Sequence, residues 1–187
     1  MGTSAKGVRG AMTRFHSAFA GTLFRAAAAA IGLVCAIGAA GCVMPGGPVS
    51  PESVATDAAT LAAGAAFCVD EVNRFRATIG AAPLTRSSRI DEFSTQAAQV
   101  DGEAHQAHTY FRMTNGGNGT STAENVIGWW KASQYGSVRA IIRQGLATMW
   151  AQGPGGRHYE TMKGNYTEMG CGVFVANDEV TVSQDFH

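Results

Sequence analysis

Two apolar runs end the chain, residues 167–176 and 179–186, and only Asn177-Asp178 separates them. β-branched and aromatic residues on either side of a two-residue turn predict a tight β-hairpin. In the second run Val180 and Val182 alternate with Thr181 and Ser183, the period of a strand with one wet face. Most of the preceding chain has the 3.6-residue period of helices. Helices followed by a terminal hairpin predict an α+β domain, with helices packed on a small antiparallel sheet.

Three helices are legible. Over residues 56–79, Cys68, Val72, Phe75 and Ile79 recur on one face, and Gly80 supplies a stop. Pro83-Leu84 reads as an extended turn with Leu84 buried. Ser88 opens the second helix, where Ser88-Arg89-Ile90-Asp91 resembles a capping box. Ile90, Phe93, Ala97, Val100 and Ala104 keep a strict 3-4-3-4 spacing that runs out near His105. Residues 109–122, with Asn115-Gly116-Gly117-Asn118-Gly119 at their centre, read as a loop. Ser137 caps a third helix through about Gln152, with Val138, Ile141, Ile142, Leu146 and Met149 as its apolar stripe. Gly153-Pro154-Gly155-Gly156 ends it.

The first 42 residues are a different polymer. Lys6, Arg9, Arg14 and Arg25 precede an apolar run over residues 26–40, the layout of an export signal. That run is shorter than the roughly 20 residues that span a bilayer. It ends in Ala39-Ala40-Gly41-Cys42, a lipobox-like junction, although Ala39 stands where Leu is usual. Lipidation of Cys42 is the first expectation and plain secretory cleavage the alternative. Residues 43–55 form a Pro/Gly-rich linker, and residues 56–187 one domain without internal repeats. The signal holds four of the 14 Lys and Arg and none of the 14 Asp and Glu, so the remainder carries about −4. No basic stripe exists for nucleic acid. Beyond the signal only Cys68 and Cys171 remain, and an even pair in an exported protein predicts a disulfide.

Three further segments fall in a telling order: Ala123-Glu124-Asn125-Val126, then His158-Tyr159, then Gly170-Cys171-Gly172 opening an apolar strand. Together they resemble the signatures of the CAP superfamily, the cysteine-rich secretory, antigen 5 and pathogenesis-related 1 proteins. The resemblance implies an α-β-α sandwich over roughly residues 67–186. It also implies a cleft built from two His and two Glu residues. Glu124 matches the Glu of the Glu-Asn motif, and His158 the His of the His-Tyr motif. His108, followed by Thr109-Tyr110-Phe111, matches the first His, with His105 as the alternative. The second Glu is expected soon after the helix-ending Trp, but Trp150 is followed by Ala151-Gln152-Gly153. Gln152 is the nearest isostere and a poor metal ligand.

These residues set the functional expectations. The first is an exported, lipid-anchored binding module for a small apolar ligand, a divalent metal or a protein partner. The second is a metal-assisted hydrolase using His108, Glu124 and His158. Those three residues would hold a weakly bound ion such as Zn²⁺, since two imidazoles and one carboxylate leave an open position. The third is an envelope structural or adhesion module without an active cleft. Nucleophilic catalysis has no candidate, because no Gly-x-Ser-x-Gly elbow exists. Trp129, Trp130 and Tyr135 read either as packing beneath the cleft wall or as an exposed apolar surface.

Overall fold

The computed structural model describes residues 57–187. The signal, Cys42 and the linker lie outside the described residues. Among those described, no helix is long and apolar enough to cross a membrane. Helix α1 spans Ala58–Ala77, and the Asp57 carboxylate caps it by accepting from the Thr60 N–H at 2.7 Å. A two-residue strand β1, Thr85–Arg86, leads into α2, Ser88–Ala104. Then follow α3 (Thr109–Gly119), β2 (Ala123–Lys131), a single turn α4 (Ala132–Tyr135) and α5 (Val138–Trp150). A short α6, Arg157–Lys163, precedes the terminal hairpin of β3 (Glu168–Ala176) and β4 (Glu179–Phe186).

The sheet runs β1-β3-β4-β2, with β2 at one edge. Both β3–β4 and β2–β4 are antiparallel, and Asn177 and Asp178 take the positive φ values, 51° and 66°, that a tight hairpin demands. The expected all-antiparallel sheet differs at β1, which pairs parallel with β3 because it arrives by a helical crossover. Helix α2 covers one face of the sheet, and α1 with α5 covers the other.

The Gly-Cys-Gly segment shows why this layering is tight. A Cβ on Gly172 would lie 2.1 Å from the Ser94 carbonyl carbon, and one on Gly170 2.4 Å from the Asp91 nitrogen. Both glycines let β3 approach the α2 backbone. Cys171, between them, points the other way and bonds Cys68 of α1, with Cα atoms 6.2 Å apart. The core under α1 and α5 includes Val72, Ile141, Ile142, Leu146, Val180, Val182 and Phe186, all fully buried. Each such side chain contributes about 1.5–3 kcal/mol relative to exposure.

Three local expectations are corrected. No capping box forms at α2: the N-cap is Ser87, without a side-chain bond. Asp91 instead pairs with Arg86 and accepts from the Cys171 N–H at 2.9 Å. The supposed loop from residue 109 is helical at its start. Buried Asp101 accepts from the N–H groups of His108 and Tyr110, and Phe93 packs against Tyr110 and Phe111. Residues 115–118 then turn left-handed, a conformation that Asn and Gly tolerate. Finally, β4 has no wet face, because Thr181, Ser183 and Asp185 are buried beneath α2.

Candidate functional site

Edge strand β2 carries Glu124 and Asn125 on opposite faces, by the ordinary alternation of a strand. Each anchors one histidine. Between α2 and α3 the chain turns through His108, whose φ is +64°. The Asp101 carboxylate holds that turn and sets the imidazole against β2. His108 Nδ1 lies 2.7 Å from Glu124 Oε2, and the Glu124 side chain is almost wholly buried. This bond raises the His108 pKa above its ordinary value; burial opposes the rise, and the charges of Glu124 and Asp101 add to it.

Beneath the pair lies a second carboxyl. Ser183 Oγ sits 2.9 Å from both Glu124 Oε1 and Asp185 Oδ2, and the Ser94 hydroxyl donates to Asp185 at 2.7 Å. One serine hydroxyl has a single proton. Both contacts are hydrogen bonds only when one of the two carboxyls is protonated and the serine donates to the other. Burial first, and the Glu124 charge second, push Asp185 up to about 7, which fits that arrangement. Its other oxygen, Oδ1, has no hydrogen-bond partner among the described residues.

His158 opens α6 on the other side of β2. Its backbone carbonyl accepts from Asn125 Nδ2 at 3.2 Å. Gln152 clasps it twice: Gln152 Oε1 accepts from the His158 N–H at 3.2 Å, and Gln152 Nε2 lies 2.7 Å from His158 Nδ1. The first bond orients the amide, so the second must be an amide N–H donated to Nδ1. His158 is then the neutral tautomer with its proton on Nε2. Burial lowers its pKa, and the nearby charge of His108 lowers it further. Tyr159 packs on Trp150, which packs on Phe75, and these rings buttress α6.

The four expected residues therefore form two bonded pairs, His108–Glu124 and Gln152–His158, joined through the Glu124-Asn125 peptide. The alternative histidine, His105, belongs elsewhere: it stacks on Trp129 and bonds Glu179. Trp130 stacks on Tyr135, at 4.9 Å between centroids. Asp101, Asn125, Ser183 and Asp185 were not expected from the sequence. Asn125 lay inside the motif and was the one with a visible signal.

The donor set does not fit the expected metal centre. Among the described residues, no group of three or more His, Cys, Asp or Glu side chains is arranged to hold an ion. The reasons are local: the Gln152 amide caps Nδ1 of His158, Nε2 carries the proton, and both Glu124 oxygens are engaged. A cavity of about 550 Å³ lies away from these residues, between α1 and α2, with Leu61, Ala65, Gln96 and Val173 in its wall.

An α+β sandwich with a disulfide between helix and sheet, and a His/Glu rim at the edge strand, defines the class. The chain belongs to the cysteine-rich secretory protein (CAP) family, whose pattern matches residues 69–186. No curated protein matches it. Seven chains of solved structures do. One is a cysteine-rich secretory protein from Staphylococcus aureus, 16% identical, with a TM-score of 0.46. The match covers 70% of this chain and 40% of that longer one.

Proposed function

We propose that this protein is an exported, lipid-anchored CAP binding module whose rim of His108, Glu124, Gln152 and His158 takes the acceptor-rich head group of a ligand. One observation carries the reading, the double clasp of Gln152 on His158. With Nδ1 capped by an amide N–H, His158 offers Nε2–H as a donor. His108 gives Nδ1–H to Glu124, and when protonated offers its own Nε2–H. Two N–H donors of this kind suit a carboxylate or phosphate oxygen. A carboxylate at position 152 would accept Nδ1–H and free Nε2 as a lone pair, the usual arrangement behind a metal-bound histidine. Gln152 thus favours a donor over a metal ligand, and the metal-assisted hydrolase is the weaker reading.

Calorimetric titration with acetate, inorganic phosphate and Zn²⁺ tests this on wild type, Gln152→Glu and His158→Ala. Wild type should answer to one or both anions, His158→Ala should lose that response, and Gln152→Glu should gain Zn²⁺ at the anions' expense. Equal Zn²⁺ affinities in all three, with no anion response, would sink the reading. The anchor is tested separately. Cys42→Ala should abolish labelled fatty-acid incorporation, and continued labelling would exclude lipidation at that residue.

A second reading rests on the cavity between α1 and α2. Its size lies within the 300–1,000 Å³ of small-molecule sites, and Leu61, Ala62, Ala65 and Val173 give it an apolar wall that suits an apolar ligand. Ala62→Trp should block uptake of a solvatochromic apolar dye, and unchanged uptake would place the dye elsewhere.

A further inference from the structure

We infer that a second pocket, five residues along β2 from Glu124, binds a single hydroxyl-rich ring such as one sugar unit. Its cavity measures about 240 Å³ and is lined by Glu103, His105, Trp129, Phe174, Asn177 and Thr181, among others. Three independent features converge there.

The first is backbone conformation. β2 slips register against β4 between Ile127 and Trp130, and Trp129 in that bulge has φ +62°. A bulky aromatic in the left-handed region is an outlier. Bulges and such outliers gather where a side chain must be re-aimed for function. The second feature is an ordered support. His105, itself left-handed at φ +46°, stacks on the indole with ring centroids 5.7 Å apart. His105 Nε2 lies 2.7 Å from Glu179 Oε2, and Lys131 Nζ donates to Glu179 Oε1 at 2.9 Å. The third is a missing partner. Trp129 Nε1 is buried and has no acceptor among the described residues, whereas buried indole N–H groups normally find one.

The chemistry narrows the ligand. The indole N–H needs an acceptor. Glu103 and Glu179 place carboxylates on the same lining. Glu103 accepts from Gln99 Nε2 at 2.9 Å and Glu179 bonds Lys131 and His105, and each keeps free lone pairs for a further donor. A simple ammonium would suit the carboxylates and leave the indole unbonded. An anion would suit the indole and be repelled by the carboxylates. A hydroxyl does both, since it donates and accepts. Phe174 and the indole offer apolar surface for the C–H face of a ring. The volume, below that of drug-sized sites, limits the occupant to about one ring.

The test uses the full-length protein in detergent, labelled with ¹⁵N. Its three tryptophans give three indole N–H signals, and Trp129→Phe assigns one of them. N-acetylglucosamine should shift that signal saturably, while tetramethylammonium and acetate should not. Trp129→Phe should weaken binding about tenfold, the effect of one hydrogen bond. Glu103→Gln, on an exposed part of α2, should weaken it a few-fold and leave the anion response of His158 unchanged. That last arm separates this site from the His158 rim. The inference fails if no saturable shift occurs by about 10 mM sugar, or if the ions shift the signal equally. It also fails if Glu103→Gln binds like wild type, which decides the matter even if Trp129→Phe does not fold.

Discussion

The Gly170-Cys171-Gly172 segment and the Glu124-Asn125 segment lie in strands of one sheet, yet they use their residues for opposite purposes. In the first, side chains are absent or covalently committed, so that a helix backbone and a strand can touch. In the second, side chains carry the content, and each turns to a different histidine. The spine tolerates no added atom, because its neighbours are backbone. At the rim the two imidazoles are partly exposed and their partners are side chains, which can move more readily than backbone. Disturbance of the first segment should therefore appear in stability, and disturbance of the second in charge and binding.

The largest effect should come from the spine. Replacing Cys68 and Cys171 together by Ala opens a cross-link spanning 103 residues and should cost about 2–5 kcal/mol, read by urea unfolding. Gly172→Ala should follow at about 1–3 kcal/mol, since its Cβ would meet the α2 backbone at 2.1 Å. A loss below about 0.5 kcal/mol would mean that α2 can shift and that the contrast with the rim is overstated.

Asp185 lies beneath the rim but is buried like the spine. Its folded pKa is raised to about 7, by burial and then by Glu124, against roughly 3.9 unfolded. A raised carboxyl contributes stability that is fully present below about pH 3.9 and lost as pH rises through about 7. Asp185→Asn mimics the protonated acid, so its stability should match wild type within about 1 kcal/mol at acid pH. It should then lack this loss between pH 4 and 7. A variant that falls in parallel with wild type would remove Asp185 as the proton holder.

The smallest effects, and the sharpest for the comparison, separate the two histidines. The His108 pKa is raised, first by the Glu124 bond, so its stability contribution is present below about pH 6.5 and fades as pH climbs through the folded value. The His158 pKa is lowered, first by burial and then by His108, so its contribution is present above about 6.5 and fades as pH falls. His108→Ala should therefore cost more at pH 5 than at pH 9, and His158→Ala the reverse. Melting curves at the two pH values check this. The same slope in both variants would show that carboxylate and amide partners do not distinguish the rings.

Gln152 illustrates how much of the site could be read in advance. The departure from a carboxylate after Trp150 was plain in the residues. That the amide would clasp His158 by both ends, and so choose its tautomer, depended on how α6 returns to β2. The left-handed turn at His108 is similar: His105 and His108 stood as alternatives for one position, but α2 ends at His105 and sends the two rings to separate sites.

By itself the sequence determined the helices of strict period, the terminal hairpin, the disulfide pair and the order of the three motif segments. These follow from local propensity, from turn chemistry and from the parity of two cysteines. Tertiary structure alone decided that the polar face of β4 is buried, because only α2 lying over Thr181, Ser183 and Asp185 excludes water there. It likewise decided the parallel strand β1, the helical start of residues 109–119 and the opposite directions in which the His108 and His158 pKa values move. A pKa answers to the nearest partner and the local loss of water, and both come from chain segments far apart in sequence.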